Sequence, residues 1–218
     1  MKNNFYVIIP AHNEGNRILN VIKKTKKYAK NIVVVDDGSK DNTYNIAKKT
    51  GVEVLKHIIN LGKGAALKTG CDYAVKKGTK KLVVMDADGQ HDPFEIPNFI
   101  KNLNNADIVF GYRTLKKMPL ILKVGNWFIN ESTKLLYGLD LRDTQSGYRA
   151  FRSNCYKKIR WISNDYSMES EMIANVGKCG LKYKEIPIKT IYGDRYKGTT
   201  VLDGIKIVFN MILWKLKK

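Results

Sequence analysis

Apolar residues in this chain come in short unbroken runs, separated by longer segments in which they return at every third or fourth position. The runs "FYVIIP" (5–10), "NIVVVDD" (31–37), "VEVLKH" (52–57), "KLVVMDAD" (81–88) and "ADIVFGY" (106–112) are rich in β-branched residues. Several are apolar on both faces, the pattern of strands buried inside a parallel sheet. Between them, "EGNRILNVIKKTKKYA", "DNTYNIAKKTG", "GKGAALKTGCDYAVKKG" and "PFEIPNFIKNLNN" have helical spacing, and several close on Gly or Asn. This alternation predicts βαβ crossovers, hence the α/β class and an open, mostly parallel sheet with helices on both faces.

The pattern changes after residue 112. Residues 115–138 read as a loop followed by an apolar-rich helix, and 143–152 as a turn leading into a strand. A helix over 165–180 closes on Gly180, a strand follows over 181–193, and a last helix ends the chain. At 218 residues the chain fits one unit. Residues 1–200 make the α/β domain and 201–218 a basic amphipathic helix belonging to it. In that helix Ile205, Val208, Phe209, Ile212, Leu213 and Leu216 share one face, with Lys206, Asn210 and Lys217 opposite and Trp214 on a flank. Such a helix can lie in a bilayer interface or pack its stripe on the sheet, and the spacing suits both.

Polar residues collect where strands are expected to end. His12, Asn13 and Glu14 follow the first strand, Asp36 and Asp37 the second, and Asp86 and Asp88 the fourth. Open α/β sheets bind ligands beyond the carboxyl ends of their strands. Any single acid there could be a helix cap, the role expected of Asp41, and of Asp92 with Pro93 after it. Carboxylates at successive strand ends ask for another explanation.

Charge sharpens that question. Lys and Arg number 39 against 20 Asp and Glu, a formal net charge of +19. Such an excess suits anionic lipid, phosphorylated substrates or nucleic acid, although lysine runs also clothe ordinary helix faces. Neither zinc-finger spacing nor an RNA-recognition signature occurs, so nucleic acid is not an expected partner. Cys71, Cys155 and Cys179 are widely spaced and odd in number, which suits buried, reduced thiols. The first apolar run is too short for a signal peptide, and no stretch reaches the roughly 18 uninterrupted apolar residues of a membrane span.

Within "MDADGQHDP", Asp86 and Asp88 are two apart, so their side chains can converge on one hard cation such as Mg²⁺ or Mn²⁺. Such an ion, held by one or two carboxylates, completes its shell with substrate phosphates. The pair gains specificity from its company: "VIIPAHNE", "VVVDDGSKDNT", "NLGKGAALKTG", "MDADGQHDP", "GYR", "DTQSGYRAFR" and "YGDRYKGTT" follow one another in this order. Together they resemble the family 2 glycosyltransferases of the GT-A fold, and most closely the polyprenyl-phosphate branch. The resemblance runs from Val7 to about Thr200.

It implies a metal-dependent, inverting transfer of a hexose from a nucleotide-sugar, GDP-mannose or a UDP-sugar, to a polyprenyl phosphate. Pro10, Ala11, His12, Glu14, Val35, Asp37 and Lys63 would then hold the donor, with Asp86, Ala87, Asp88 and Gln90 at its diphosphate. Asp86, Asp88 and Gln90 would be the metal residues. Arg113 and Arg195 match basic residues near the reacting phosphates, and Asp86 and Asp88 complete the catalytic set. Lys123, Asp143, Ser146, Arg149, Arg195 and Lys197 would form the acceptor side. Glu169 and Glu171 lie where the wider family often has an acidic pair. His12 stands where Tyr is frequent, Lys123 where some members have Arg, and Val201 where relatives often carry Lys; Arg and Lys are not equivalent in a phosphate clamp.

A lipid phosphate with a second pKa near ~6 is already largely dianionic at neutral pH and needs no general base. The expected partners are therefore a nucleotide-sugar, a polyprenyl phosphate and an anionic membrane surface, with the protein attached peripherally at the cytoplasmic face. Transfer to a saccharide or protein hydroxyl, which does need a base, is the alternative within the enzyme class. A basic membrane- or nucleic-acid-binding module is the alternative outside it.

Overall fold

The computed structural model describes residues 4–113, 120–189 and 201–216, the side chains of 120–123 and 201–205 excepted. The elements are β1 (Phe5–Ala11), α1 (Ile18–Thr25), β2 (Asn31–Asp37), α2 (Thr43–Lys49), β3 (Glu53–His57), α3 (Lys63–Lys76), β4 (Lys81–Val84), α4 (Ile96–Asn102), β5 (Ile108–Arg113), α5 (Leu120–Tyr137), β6 (Arg149–Arg152), α6 (Ser153–Ile159), α7 (Met168–Lys178), β7 (Tyr183–Ile188) and α8 (Val201–Leu216). A seven-stranded sheet runs in the order β3-β2-β1-β4-β6-β5-β7. Among the described strands only β6 opposes its neighbours, so the open, mostly parallel α/β sheet expected from the sequence is the one observed.

Period-two alternation sends successive residues of the central strands into separate cores. Ile8, Val33 and Val35 face α3, α5, α6, α7 and α8, whereas Val7, Ile9 and Val34 face α1, α2 and α4. This two-sided burial explains why these strands read as unbroken apolar runs. Helix α3 lies close enough to β1 that a Cβ on Gly70 would come 2.4 Å from Ile8 Cγ2; glycine there lets backbone approach side chain.

Several boundaries move. β4 ends at Val84, four residues short of the expected limit, and 86–88 have left the sheet. Helix α6, which was not anticipated, follows β6 directly. Asp92 caps the short 3-10 turn at Pro93–Glu95, accepting from the Phe94 N–H at 3.0 Å. Asp41 accepts from the Thr43 N–H and from its hydroxyl, and its other oxygen accepts from the Gly15 N–H at 2.9 Å. It therefore serves the start of α2 and also ties that start to the loop after β1. Cys71 and Cys155 are buried free thiols as expected, but Cys179 is exposed.

Helix α8 carries two apolar stripes where the spacing suggested one. Ile207 and Met211 are buried against α5 and α7, with Val208 and Trp214 partly covered, while Phe209, Ile212, Leu213 and Leu216 remain exposed. The Ile205 side chain lies outside the described residues. Tyr137 of α5 anchors the junction, its hydroxyl donating to the Met211 carbonyl at 2.6 Å.

Burial lifts the Tyr137 hydroxyl from 10.0 to about 12. Its neutral form is favoured in the folded state, so the stability it contributes is intact below pH 10 and lost as pH rises towards 12. Urea titrations should show the wild type losing on the order of 2 kcal/mol over that window relative to Tyr137→Phe, which has no hydroxyl to ionise.

Candidate active site

The strands β2, β1 and β4 are adjacent and parallel, so the loops after them form one rim. Because β6 runs the other way, the loop that enters it joins the same rim, and pairing of Val84 with Arg149 sets residues 143–148 beside 85–88. Arg113 arrives at the end of β5.

Asn13, the first piece of the rim, is the one described non-glycine residue at positive φ, 55°, a conformation Asn tolerates better than most residues. Its backbone N–H donates to Ser39 Oγ at 2.9 Å, and its Oδ1 accepts from the Lys40 N–H at 2.8 Å. His12 Nδ1 lies 2.8 Å from the Asp37 carbonyl, which can only accept, so that nitrogen carries the proton; Nε2 then accepts from Asn13. Glu14 is buried with its Oε2 on Arg17. Asp37 is also buried, and its carboxylate accepts from His57 Nδ1 and from the Leu61 and Gly62 N–H groups at 2.7–3.0 Å. That carboxylate thus organises the loop leading into α3. Pro10, Ala11 and Val35 line the same strand ends from buried positions. Among the described residues, fully buried Asp36 finds no hydrogen-bond partner for either oxygen.

The acidic turn is the second piece. Lys63, the first residue of α3, places Nζ 2.7 Å from Asp86 Oδ1 and 2.9 Å from Glu169 Oε1. Side-chain exposure falls from 26% at Asp86 through 15% at Lys63 to 6% at Glu169, so the row runs from mouth to floor. A Cβ on Gly147 would lie 2.9 Å from both Lys63 Nζ and Asp86 Oδ2, which is why glycine covers the pair. Beside them, His91 Nδ1 accepts from the Asp86 N–H at 3.0 Å, leaving a neutral ring's proton on Nε2, 3.8 Å from Asp86 Oδ2. The ring stacks on Tyr148 with centroids 4.8 Å apart. His91 was not expected here; nothing but its nearness to the DxD pair marks it in the sequence.

Burial raises the Asp86 carboxyl, but the Lys63 ammonium above all, with the His91 ring beside it, outweighs burial and holds the group down to about 2. Burial lowers Lys63, and Asp86 with Glu169 more than reverse this, so Lys63 stays charged. Asp88 is raised, by burial and by the neighbouring Asp86 charge. Its Oδ1 accepts from the Gln90 N–H at 2.9 Å, and Ala87 is buried between the two acids.

The residues expected near the acceptor divide. Arg113 and Asp143 form a two-pronged pair, Nε to Oδ2 at 2.7 Å and Nη2 to Oδ1 at 2.9 Å. Ser146 is buried, its hydroxyl without a partner among the described residues. Arg149 is 1% exposed, and its three nitrogens donate to the carbonyls of Ser146, Glu169 and Thr144; burial lowers it to about 10. Arg195, Lys197 and the Lys123 side chain lie outside the described residues. Glu171 accepts from the Ile162 N–H and from the Ser163 N–H and hydroxyl. Glu169 keeps one buried oxygen, Oε2, without a partner among the described residues.

Among the described residues no three His, Cys, Asp or Glu side chains gather as a metal cage. The donor set still suits Mg²⁺ or Mn²⁺, since two close carboxylates, one of them raised by the other, are relieved by a hard cation whose remaining ligands come from phosphate.

An acid-rimmed, mostly parallel sheet with one opposed strand is the GT-A form of the α/β fold. Glucosyl-3-phosphoglycerate synthase from Mycobacterium tuberculosis, solved with Mn²⁺, UDP and phosphoglyceric acid, shares this fold at a TM-score of 0.71 and 18% identity, covering 99% of this chain and 78% of that one. The family model "Glycosyl transferase family 2" matches residues 6–160. The chain belongs to glycosyl transferase family 2 and is a glycosyltransferase. An uncharacterized protein of Methanocaldococcus jannaschii is 43% identical over 99% of this chain and 93% of its own length. The UDP-N-acetylglucosamine–dolichyl-phosphate N-acetylglucosaminyltransferase of Methanococcus voltae is 37% identical, covering 98% and 96%. The undecaprenyl-phosphate mannosyltransferase of Micrococcus luteus is 29% identical, covering 96% and 93%.

With a folded-state value near 2 against 3.8 unperturbed, the Asp86 carboxylate contributes stability above about pH 4 that is lost as pH falls towards 2. That shift is worth about 2 kcal/mol. In denaturant titrations from pH 5 to pH 2, Asp86→Asn should lose less stability than the wild type by about this amount.

Proposed function

We propose that this glycosyltransferase moves a hexose or N-acetylhexosamine from a nucleotide-sugar to a polyprenyl phosphate at a membrane surface, inverting the anomeric carbon. The observation that carries this reading is the near full-length likeness to relatives named for dolichyl- and undecaprenyl-phosphate. The relative at 37% identity favours UDP-N-acetylglucosamine as donor, ahead of GDP-mannose and UDP-glucose.

The His12 to Glu14 and Asp37 loops, joined by the bonds described, form the nucleoside end of the site. Asp88 and Gln90 hold Mg²⁺ or Mn²⁺ with the diphosphate; a bound divalent ion neutralises charge developing on the leaving nucleoside diphosphate. Asp86, fixed by Lys63 and His91, sits on the ribose and sugar side. A phosphate oxygen of the acceptor attacks the anomeric carbon and the bond to the nucleoside diphosphate breaks, with no proton to remove. Arg113, oriented by Asp143, and Arg195, Lys197 and Lys123 bring the two anions together. Arg149 positions the 144–146 turn and the first turn of α7. The carboxylate of Glu171, fully engaged with residues 162 and 163, supports an acceptor that needs no base.

No described helix is long and apolar enough to cross a membrane. The exposed row Phe209, Ile212, Leu213 and Leu216 on α8, beside exposed Val124, Trp127, Phe128 and Leu135 on α5, supports peripheral attachment. Lysine supplies the attraction to anionic headgroups, about 1 kcal/mol for each one near the surface.

Two measurements test the reading. Thermal shift with UDP-N-acetylglucosamine, UDP-glucose and GDP-mannose should show one donor stabilising the protein with Mn²⁺ and not with EDTA, and Asp88→Ala should lose that stabilisation. No shift with any donor would sink the reading. In cosedimentation, vesicles containing phosphatidylglycerol should retain the protein better than phosphatidylcholine vesicles do, and a Phe209→Ser, Leu213→Ser, Leu216→Ser triple variant should bind at least tenfold more weakly. Equal binding by wild type and triple variant would remove α8 from the attachment surface.

A further inference from the structure

We infer that Glu169, presented by Lys63, accepts a hydrogen bond from the sugar of the nucleotide-sugar and so helps to decide which sugar is transferred. This rests on the donor site proposed above and adds to it a residue that reads the sugar.

The argument begins with an unmet hydrogen bond. Buried carboxylate oxygens are normally partnered, and leaving one unpaired costs its full desolvation. Glu169 Oε1 is satisfied by Lys63 at 2.9 Å, but Oε2 is buried with no partner among the described residues. Glu171, two residues along the same helix, shows the opposite: both its oxygens are engaged by backbone N–H groups and a hydroxyl at residues 162 and 163. One acid of the pair is structural and the other is held incomplete.

The surroundings keep Glu169 in that state. Arg149 Nη1 donates to its backbone carbonyl at 2.7 Å, fixing the first turn of α7 against β6. Gly147 closes over Lys63 and Asp86, and the Tyr166 ring lies 5.5 Å from Lys63 Nζ. Lys63 joins Glu169 to Asp86, the acid proposed above for the ribose and sugar side of the diphosphate, and it spends two of its three N–H bonds on these carboxylates. What lies beyond the diphosphate along a nucleotide-sugar is the sugar. An oxygen that only accepts, beside an ammonium whose third N–H meets no acceptor among the described residues, matches a sugar hydroxyl, which donates to one and accepts from the other. An acetamido N–H with its carbonyl would match equally well. A site built to pair such a group rejects analogues that lack it more strongly than an apolar pocket could.

Calorimetric titration in Mg²⁺ tests this with UDP, UDP-N-acetylglucosamine, UDP-glucose, GDP and GDP-mannose. Glu169→Gln should bind the bare nucleoside diphosphate within twofold of wild type and the matching nucleotide-sugar at least tenfold more weakly. Glu171→Gln should lower the melting temperature while leaving the ratio of those two affinities unchanged. Equal weakening of both ligands in Glu169→Gln, or no change in either, would overturn the inference while leaving the donor site standing. Failure of every nucleotide to bind even the wild type would overturn the donor site and this inference together.

Discussion

The Lys63 ammonium is the tie on which the site depends. It belongs to the first turn of α3 yet bonds a carboxylate from the loop after β4 and another from the first turn of α7, so three elements distant in sequence meet at one nitrogen. Burying one cation between two anions is tolerable only because each is paired; removing the lysine would leave two carboxylates facing each other in a poorly hydrated space. The same bond keeps Asp86 ionised and fixed at the mouth of the site.

Around that tie the sheet acts as a registration device. Parallel β2, β1 and β4 deliver their loops to one edge, and antiparallel β6 brings the turn at 143–148 back to it. Two buried cores, one on each side of the sheet, prevent the strands from sliding. Much of the polar chemistry at the edge is devoted to holding loops: Asp37 to 57–62, Asp41 to the start of α2, Glu171 to 162–163 and Arg149 to 144–146. The acids on this rim therefore serve two purposes, and only their hydrogen bonds tell which. Among the described residues the bonds of Glu171 are complete, whereas Glu169 keeps one oxygen without a partner.

Strand and helix order was legible because burial on both faces of a sheet and on one face of a helix imposes different periodicities. The rim of acids was legible too, since residues at the ends of adjacent parallel strands must be neighbours in space. Less legible were features set by partners far along the chain. His91 joins the site through one backbone N–H and a stacked tyrosine, and neither contact leaves a repeat in the sequence. Arg149 was counted among the cations on the acceptor side; it is buried with its three nitrogens on the carbonyls of residues 144, 146 and 169, partners that no nearby repeat announces. For α8 the periodicity was real but incomplete, because a helix with apolar residues on most of its circumference can bury either stripe, and packing on α5 and α7 selected Ile207 and Met211.

The amino-acid sequence by itself determined the α/β class, the acidic strand ends and the ordered motifs of family 2 glycosyltransferases. These are local or periodic properties, written in neighbouring residues. Tertiary structure alone decided which acid is spent and which is available. Glu169 and Glu171 are two residues apart on one helix and chemically identical, but one meets Lys63 and the other meets a loop. A carboxylate's role depends on which donors reach its oxygens, and those donors come from wherever the folded chain places them.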